Sequence, residues 1–218
     1  MARFWIGFIV VVTGAFNTGA AWAQAASNPS LNAQLLVAAR QADLAAVKRA
    51  LGLGASPDAR NRLGKTVLML AAEKGNVPMA TAMIQAGADM NLASVERVTP
   101  LMAASFGGHA EIVQRLLEHG ARANALDRMH KPAIVYASGQ GHAAIVAQLL
   151  DRGVPVNAAY ENQLTALMWA AGQGQADVVR LLMARGADAA LRDDRGLRAA
   201  DMAAQAGHAA VAALLQAP

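Results

Sequence analysis

Cysteine is absent from the 218-residue chain, so no disulfide can staple it and no thiolate can act as nucleophile or metal ligand. The same absence leaves no cysteine to carry a lipid anchor. Aromatic residues make up only 4% of a chain that is 55% apolar. So much apolar surface with so few rings must pack small side chains, here mostly alanine, closely together. Helices suit that better than strands built on β-branched and aromatic residues. Charge of one sign is scarce too. With 19 basic and 15 acidic side chains the net charge is +4, a mild excess without the clustered basic stripe of a nucleic-acid binder. Long apolar runs are confined to the N-terminus.

That N-terminal run is best set apart from the fold. Arg3 precedes the unbroken apolar-plus-glycine stretch Phe4 to Val12, and Ala21-Trp22-Ala23 forms a small-x-small pattern. This is the layout of a secretory signal peptide cut after Ala23. The rival expectation is a retained anchor facing the periplasm, because Phe4 to Ala23 spans 20 residues, about the length of a membrane-crossing helix. Thr13, Asn17 and Thr18 dilute its second half, which favours cleavage. Loss of Arg3 would leave 18 basic and 15 acidic side chains, a net of +3. The expected organisation is a signal peptide at 1–23, a short linker at 24–30 and one array at 31–217. Its expected location is the periplasm or beyond.

What the chain does have is a period. Gly75, Gly108, Gly141, Gly174 and Gly207 recur every 33 residues, and so do Gly54, Gly87, Gly120, Gly153 and Gly186. Thr66, Thr99 and Thr165 form a third column, completed by Pro132 and Arg198. Each residue type has a physical role. Threonine can cap a helix with its hydroxyl, and Pro100 just inside that helix sacrifices no hydrogen bond. Glycine can end a helix in the left-handed conformation. Between these punctuation marks lie two short apolar stripes, such as Leu101 with Ala104 and then Ile112, Val113, Leu116 and Leu117. Neither helix could bury its stripe alone, whereas stacked units share one continuous core. Asn91, Asn124 and Asn157 fall in the returning loops, where their side chains can bond nearby backbone.

Written out, these segments resemble the ankyrin repeat. Thr99-Pro100-Leu101-Met102-Ala103-Ala104, Gly108-His109 and Gly120-Ala121 follow that pattern, and Thr66 to Ala72 and Thr165 to Ala171 repeat its helix start. The usual histidine is replaced by Met69, Met102 and Met168, whose flexible chains can fill the space. The resemblance covers about 28–216 as five to six units, with degenerate first and last members. It implies an all-α solenoid of helix-turn-helix units joined by hairpin-like loops, with a concave groove in which such proteins usually bind protein partners.

Candidate chemistry dissolves into the repeat. His109, His142 and His208 share one column, and stacked helices lie about 8–10 Å apart. A zinc ion needs donor atoms within about 2.1 Å, so these side chains are expected to bond a neighbouring loop and hold no metal. Ser105 and Ser138 occupy a small-residue packing column. Asp193 and Asp194, adjacent and flanked by Arg192 and Arg195, suit a solvated turn. Gly139-Gln140-Gly141 and Gly172-Gln173-Gly174 are inter-helix turns. No catalytic residue and no cofactor is assigned.

Four aromatics beyond the N-terminal segment stand outside the shared core columns: Phe106, Tyr136, Tyr160 and Trp169. Tyr160 replaces the loop aspartate seen at Asp127 and Asp193. In a concave groove such residues are the usual anchors of an interface. Basic loop tips surround them, among them Arg62, Lys65, Arg97 and Arg128, with Lys131 nearby. The expected function is therefore an exported protein-binding scaffold that works by displaying a rigid groove. A dedicated accessory subunit of one exported enzyme is the nearest rival, and a small hydrolase or stress enzyme built on the stack is the remote one.

Overall fold

The computed structural model describes residues 29–216. The expected signal peptide lies outside these residues, as does most of the expected linker. Pro29 and Ser30, assigned to that linker, already belong to the first helix. Among the described residues there are twelve α-helices and no strand, arranged as six consecutive pairs. They are α1 (Pro29–Arg40) with α2 (Leu44–Gly52), α3 (Val67–Lys74) with α4 (Val77–Gln85), and α5 (Pro100–Gly107) with α6 (Ala110–Glu118). Then come α7 (Ala133–Gln140) with α8 (Ala143–Asp151), α9 (Ala166–Gly172) with α10 (Ala176–Ala184), and α11 (Ala199–Gln205) with α12 (Ala209–Gln216).

The threonine column starts the inner helices as expected. Thr66 Oγ1 accepts the Met69 N–H at 3.2 Å, and Thr99 and Thr165 accept those of Met102 and Met168 at 3.3 Å. The methionines do more than fill space, since the Sδ atoms of Met102 and Met168 accept the Thr99 and Thr165 N–H groups at 3.4 and 3.5 Å. In the last unit Asp201 takes this role with a full charge. Its carboxylate accepts the Arg198 N–H at 3.0 Å and pairs with the guanidinium at 3.1 Å. Those bonds from Arg198 hold the Asp201 carboxyl down at about 2.

Gly108 shows why the end of an inner helix tolerates no side chain. Its φ is +76°, a conformation costing an L-residue roughly 1–2 kcal/mol. A Cβ there would also stand 2.6 Å from the His142 ring of the next unit. Two histidines of the column bond the preceding unit as expected: His142 Nε2 donates to the Phe106 carbonyl at 3.1 Å, and His109 Nε2 to that of Glu73 at 3.4 Å, while the His208 ring lies against Gly174. Gln175 does the same for Gly139 at 3.1 Å.

Inner helices are enclosed on nearly every side. In α5 the six residues from Pro100 to Ser105 are all buried, because α3, α6 and α7 surround it. Outer helices are amphipathic: α6 buries Ile112, Val113, Leu116 and Leu117 while Glu111, Gln114 and Glu118 face solvent. A fully buried leucine or isoleucine such as Leu116 or Ile134 contributes roughly 1.5–3 kcal/mol. Successive inner helices pack closely while successive outer helices touch lightly. That asymmetry bends a stack toward its inner side.

Candidate binding groove

The five loops that join one unit to the next are built on one registered position, held in turn by Asn61, Ser94, Asp127, Tyr160 and Asp193. Asn61 Oδ1 accepts the N–H groups of Leu63 and Lys65 at 2.9 and 3.0 Å. Asp127 Oδ1 accepts those of Met129 and Lys131 at 2.8 and 2.9 Å. Asp193 Oδ1 accepts those of Arg195 and Leu197 at 2.9 and 2.8 Å. Ser94 makes the shorter version, to Val98 at 3.2 Å. The solvated turn expected at Asp193 is therefore corrected. Asp193 is buried and organises its loop, whereas Asp194 is exposed. Burial works against its charge, but the bonds from Leu197 and Arg195 prevail and hold the carboxyl below the usual range.

Tyr160 cannot play this part. Its loop instead makes a short 3-10 turn at Glu161–Gln163, with both Asn162 and Gln163 at positive φ. A second registered position, two residues before the capping column, is left-handed in every loop. It holds Gly64 at +71°, Arg97 at +59°, His130 at +52°, Gln163 at +60° and Gly196 at +78°. Three of the five loops thus carry a side chain where glycine would be unstrained.

Neighbouring loops are zipped together, with one break. Val95 N–H donates to the Leu63 carbonyl at 3.0 Å, Arg128 to Glu96 at 3.1 Å, and Asp194 to Asn162 at 3.2 Å. The asparagine column adds a second link that reaches the next loop. Asn91 bonds the Gly120 carbonyl and the Arg122 N–H at 3.1 and 2.8 Å, and Asn157 bonds Gly186 and Asp188 at 3.2 and 2.8 Å. Asn124 makes no such bond, because Pro155 stands where Arg122 and Asp188 offer an N–H. Glu161 N–H does not reach the Met129 carbonyl either. Loops 119–132 and 152–165 therefore share no hydrogen bond among the described residues.

The four aromatics come together along the inner face beside this break. Phe106, 53% exposed, meets Tyr136 edge to face with ring centroids 6.0 Å apart. The half-buried Tyr136 has its hydroxyl bonded to Asp127 Oδ2. Burial first, then that bond and the nearby carboxylate charge, push its pKa well above the usual tyrosine value. Trp169 is half-buried, with Lys131 Nζ 4.3 Å from its ring centroid. Tyr160, also half-buried and raised in pKa by that burial, faces the same tryptophan across a hollow of about 230 Å³. A hollow of about 210 Å³ joins Trp169 to Tyr136 and Phe106, and one of about 360 Å³ continues past Phe106 to Met102 and Glu73. On the other side, about 410 Å³ lies between Trp169, Met202 and Arg195.

The basic candidates are more scattered. Lys65 pairs with Glu73 and so borders the groove's early end. Arg128 pairs with Glu96 at 3.4 Å on exposed tips, and Arg97 is exposed on the strained tip of its loop. Arg62 lies away from the aromatics, lining a separate hollow with Val37 and Leu63. Among the described residues no group of three His, Asp or Glu side chains converges as a metal site would require. No helix there is long and apolar enough to cross a membrane.

No curated protein matches the sequence. The family profile described as ankyrin repeats (3 copies) matches residues 35–127 and again 133–218, most of the chain. Six helix pairs, three of them threonine-capped, with glycine turns recurring in a 33-residue register, thus belong to a protein of the ankyrin-repeat family.

Proposed function

We propose that this protein is an exported scaffold that captures a protein partner along the groove of its third to fifth units. Ankyrin repeats are in general protein-protein interaction modules, and the particular reading here rests on one observation. Phe106, Tyr136, Trp169 and Tyr160 line adjoining hollows on the inner face, Phe106 exposed and the other three half-buried, with Tyr136 and Tyr160 also resting on the core. Aromatic anchors on a preformed surface lose little entropy on docking, so contact area converts efficiently into affinity. The periplasmic setting is supported by the signal-like segment 1–23 alone.

The test is site-specific crosslinking in the living cell. A benzophenone amino acid at position 106 should yield a discrete adduct, whereas one at Gln114, exposed on an outer helix, should not. Adducts of equal yield from both faces would defeat the groove assignment. One dominant partner would favour the accessory-subunit role, several the general scaffold. Mass spectrometry of the mature N-terminus checks export: a chain beginning at Gln24 is expected, and a retained Met1 or Ala2 contradicts cleavage.

A further inference from the structure

Four cations on the inner face and loops have acidic partners, Lys65 with Glu73, Arg128 with Glu96, Arg195 with Asp193 and Arg198 with Asp201, while Arg60 and Arg192 bond loop carbonyls instead. Lys131 is different. Its Nζ reaches no carboxylate among the described residues and rests instead on the face of Trp169. It stands between two hollows. The one with Phe106 and Tyr136 contains no acidic side chain in its lining. The one with Met129 and Tyr160 has Glu161 at its rim, outside ion-pair reach of Lys131.

The second hollow opens between the two loops that share no hydrogen bond. Elsewhere the stack joins the carbonyl of one loop to the N–H 32 residues on: Leu63 to Val95, Glu96 to Arg128, Asn162 to Asp194. The corresponding Met129 carbonyl and Glu161 N–H have no partner among the described residues, and both residues are exposed. One place thus offers an unpaired cation, apolar hollows on both sides, and a backbone donor and acceptor left over from the ladder.

We propose that an extended segment of the partner crosses this break and sets a carboxylate, flanked by apolar side chains, on Lys131. This rests on the groove being the binding face. One peptide unit of the segment donates to the Met129 carbonyl and accepts from the Glu161 N–H, completing by strand addition what the other loops complete internally. The carboxylate closes a cluster with Lys131 and Trp169, and the flanking apolar side chains enter the two hollows. A buried charge pair of this kind selects the partner as much as it holds it.

The probe is the acetylated, amidated peptide Ala-Phe-Glu-Leu-Ala, compared with its Gln twin. Both are titrated against the full chain carrying Trp5→Phe and Trp22→Phe, so that Trp169 is the sole indole. The Glu peptide should shift Trp169 emission and bind at least about five-fold tighter than the Gln peptide, with the ratio shrinking in high salt. Lys131→Met should bring the ratio to about one without moving the thermal midpoint by more than a few degrees. Amide exchange on binding should slow at 129–131 and 160–164. Equal affinities, no response to either peptide, a preference that survives Lys131→Met, or protection elsewhere would each overturn the proposal. The two readings fail separately. An adduct from position 106 that Lys131→Met does not weaken leaves the groove standing and removes the acidic segment, whereas no adduct at 106 removes the groove itself.

Discussion

Loops 119–132 and 152–165 occupy equivalent places one period apart, yet they are made by different means. In the first, Asp127 gathers two backbone N–H groups and the Tyr136 hydroxyl, so the turn is stitched from within. In the second, Tyr160 presents a ring where that carboxylate would be, and the backbone adopts two consecutive left-handed residues instead. The difference shows what one substitution in a registered column exchanges. The carboxylate's bonds to loop N–H groups give way to apolar surface at the groove, while backbone bonds such as Tyr160 N–H to the Leu164 carbonyl remain. The link to the preceding loop is absent among the described residues. Pro155 deepens the same break by withdrawing an N–H from the asparagine ladder.

The contrast can be broken from either side. Removing the stitch should cost most. Asp127→Ala strands two backbone donors and a tyrosine hydroxyl, and a loss of about 2–4 kcal/mol is expected in urea unfolding. Tyr160→Ala gives up only ring packing, for about 1–2 kcal/mol, so equal losses would show that the two loops are not built differently after all. Tyr136→Phe removes one strand of the stitch and should cost about 1 kcal/mol. The raised Tyr136 pKa adds a pH signature. The unfolded chain ionises this tyrosine near 10 and the folded chain holds its proton longer, so the contribution is complete below about pH 10 and fades as alkalinity rises. The Phe variant should lack that share of the alkaline decline.

Strain gives a smaller effect of opposite sign. His130→Gly and Gln163→Gly relieve left-handed residues and should each stabilise by about 0.5–1 kcal/mol, while Gly196→Gln should lose a similar amount. Thermal denaturation of the three variants makes the comparison. Smallest and most local is the acid response of the last unit. The Asp201 carboxyl is held at about 2 by Arg198, below its unfolded value. Its contribution is therefore intact above about pH 4 and is lost as pH falls toward 2. Amide exchange in α11 and α12 should rise in that window, and Asp201→Asn should abolish the pH dependence.

Much of this was legible beforehand because a repeat prints its chemistry in columns. The capping threonines, the glycine turns and the bonds from His109 and His142 to a neighbouring unit follow from register, whereas the packing of Tyr136 and Tyr160 on the core does not. The loop stitch was only half legible. Asp193 beside Asp194 looks like solvated charge, and only the fold shows the first buried against its own backbone and the second left in water. The methionine sulfurs that accept N–H groups were not foreseen, since the same side chain serves equally as plain packing. The break between loops did leave a mark, in Pro155 standing in a column that otherwise offers an N–H to asparagine.

By itself the sequence determined the period, the helix ends and the family, because these depend on local backbone preferences and on spacing along the chain. Tertiary structure decided which loop carbonyl meets which N–H, that Lys131 lies on Trp169 without a carboxylate, and that Tyr136 is tied to Asp127 while Phe106 stands open beside it. Those outcomes depend on how six units stack. Stacking sets the distances between residues a whole period apart, and no local pattern encodes that.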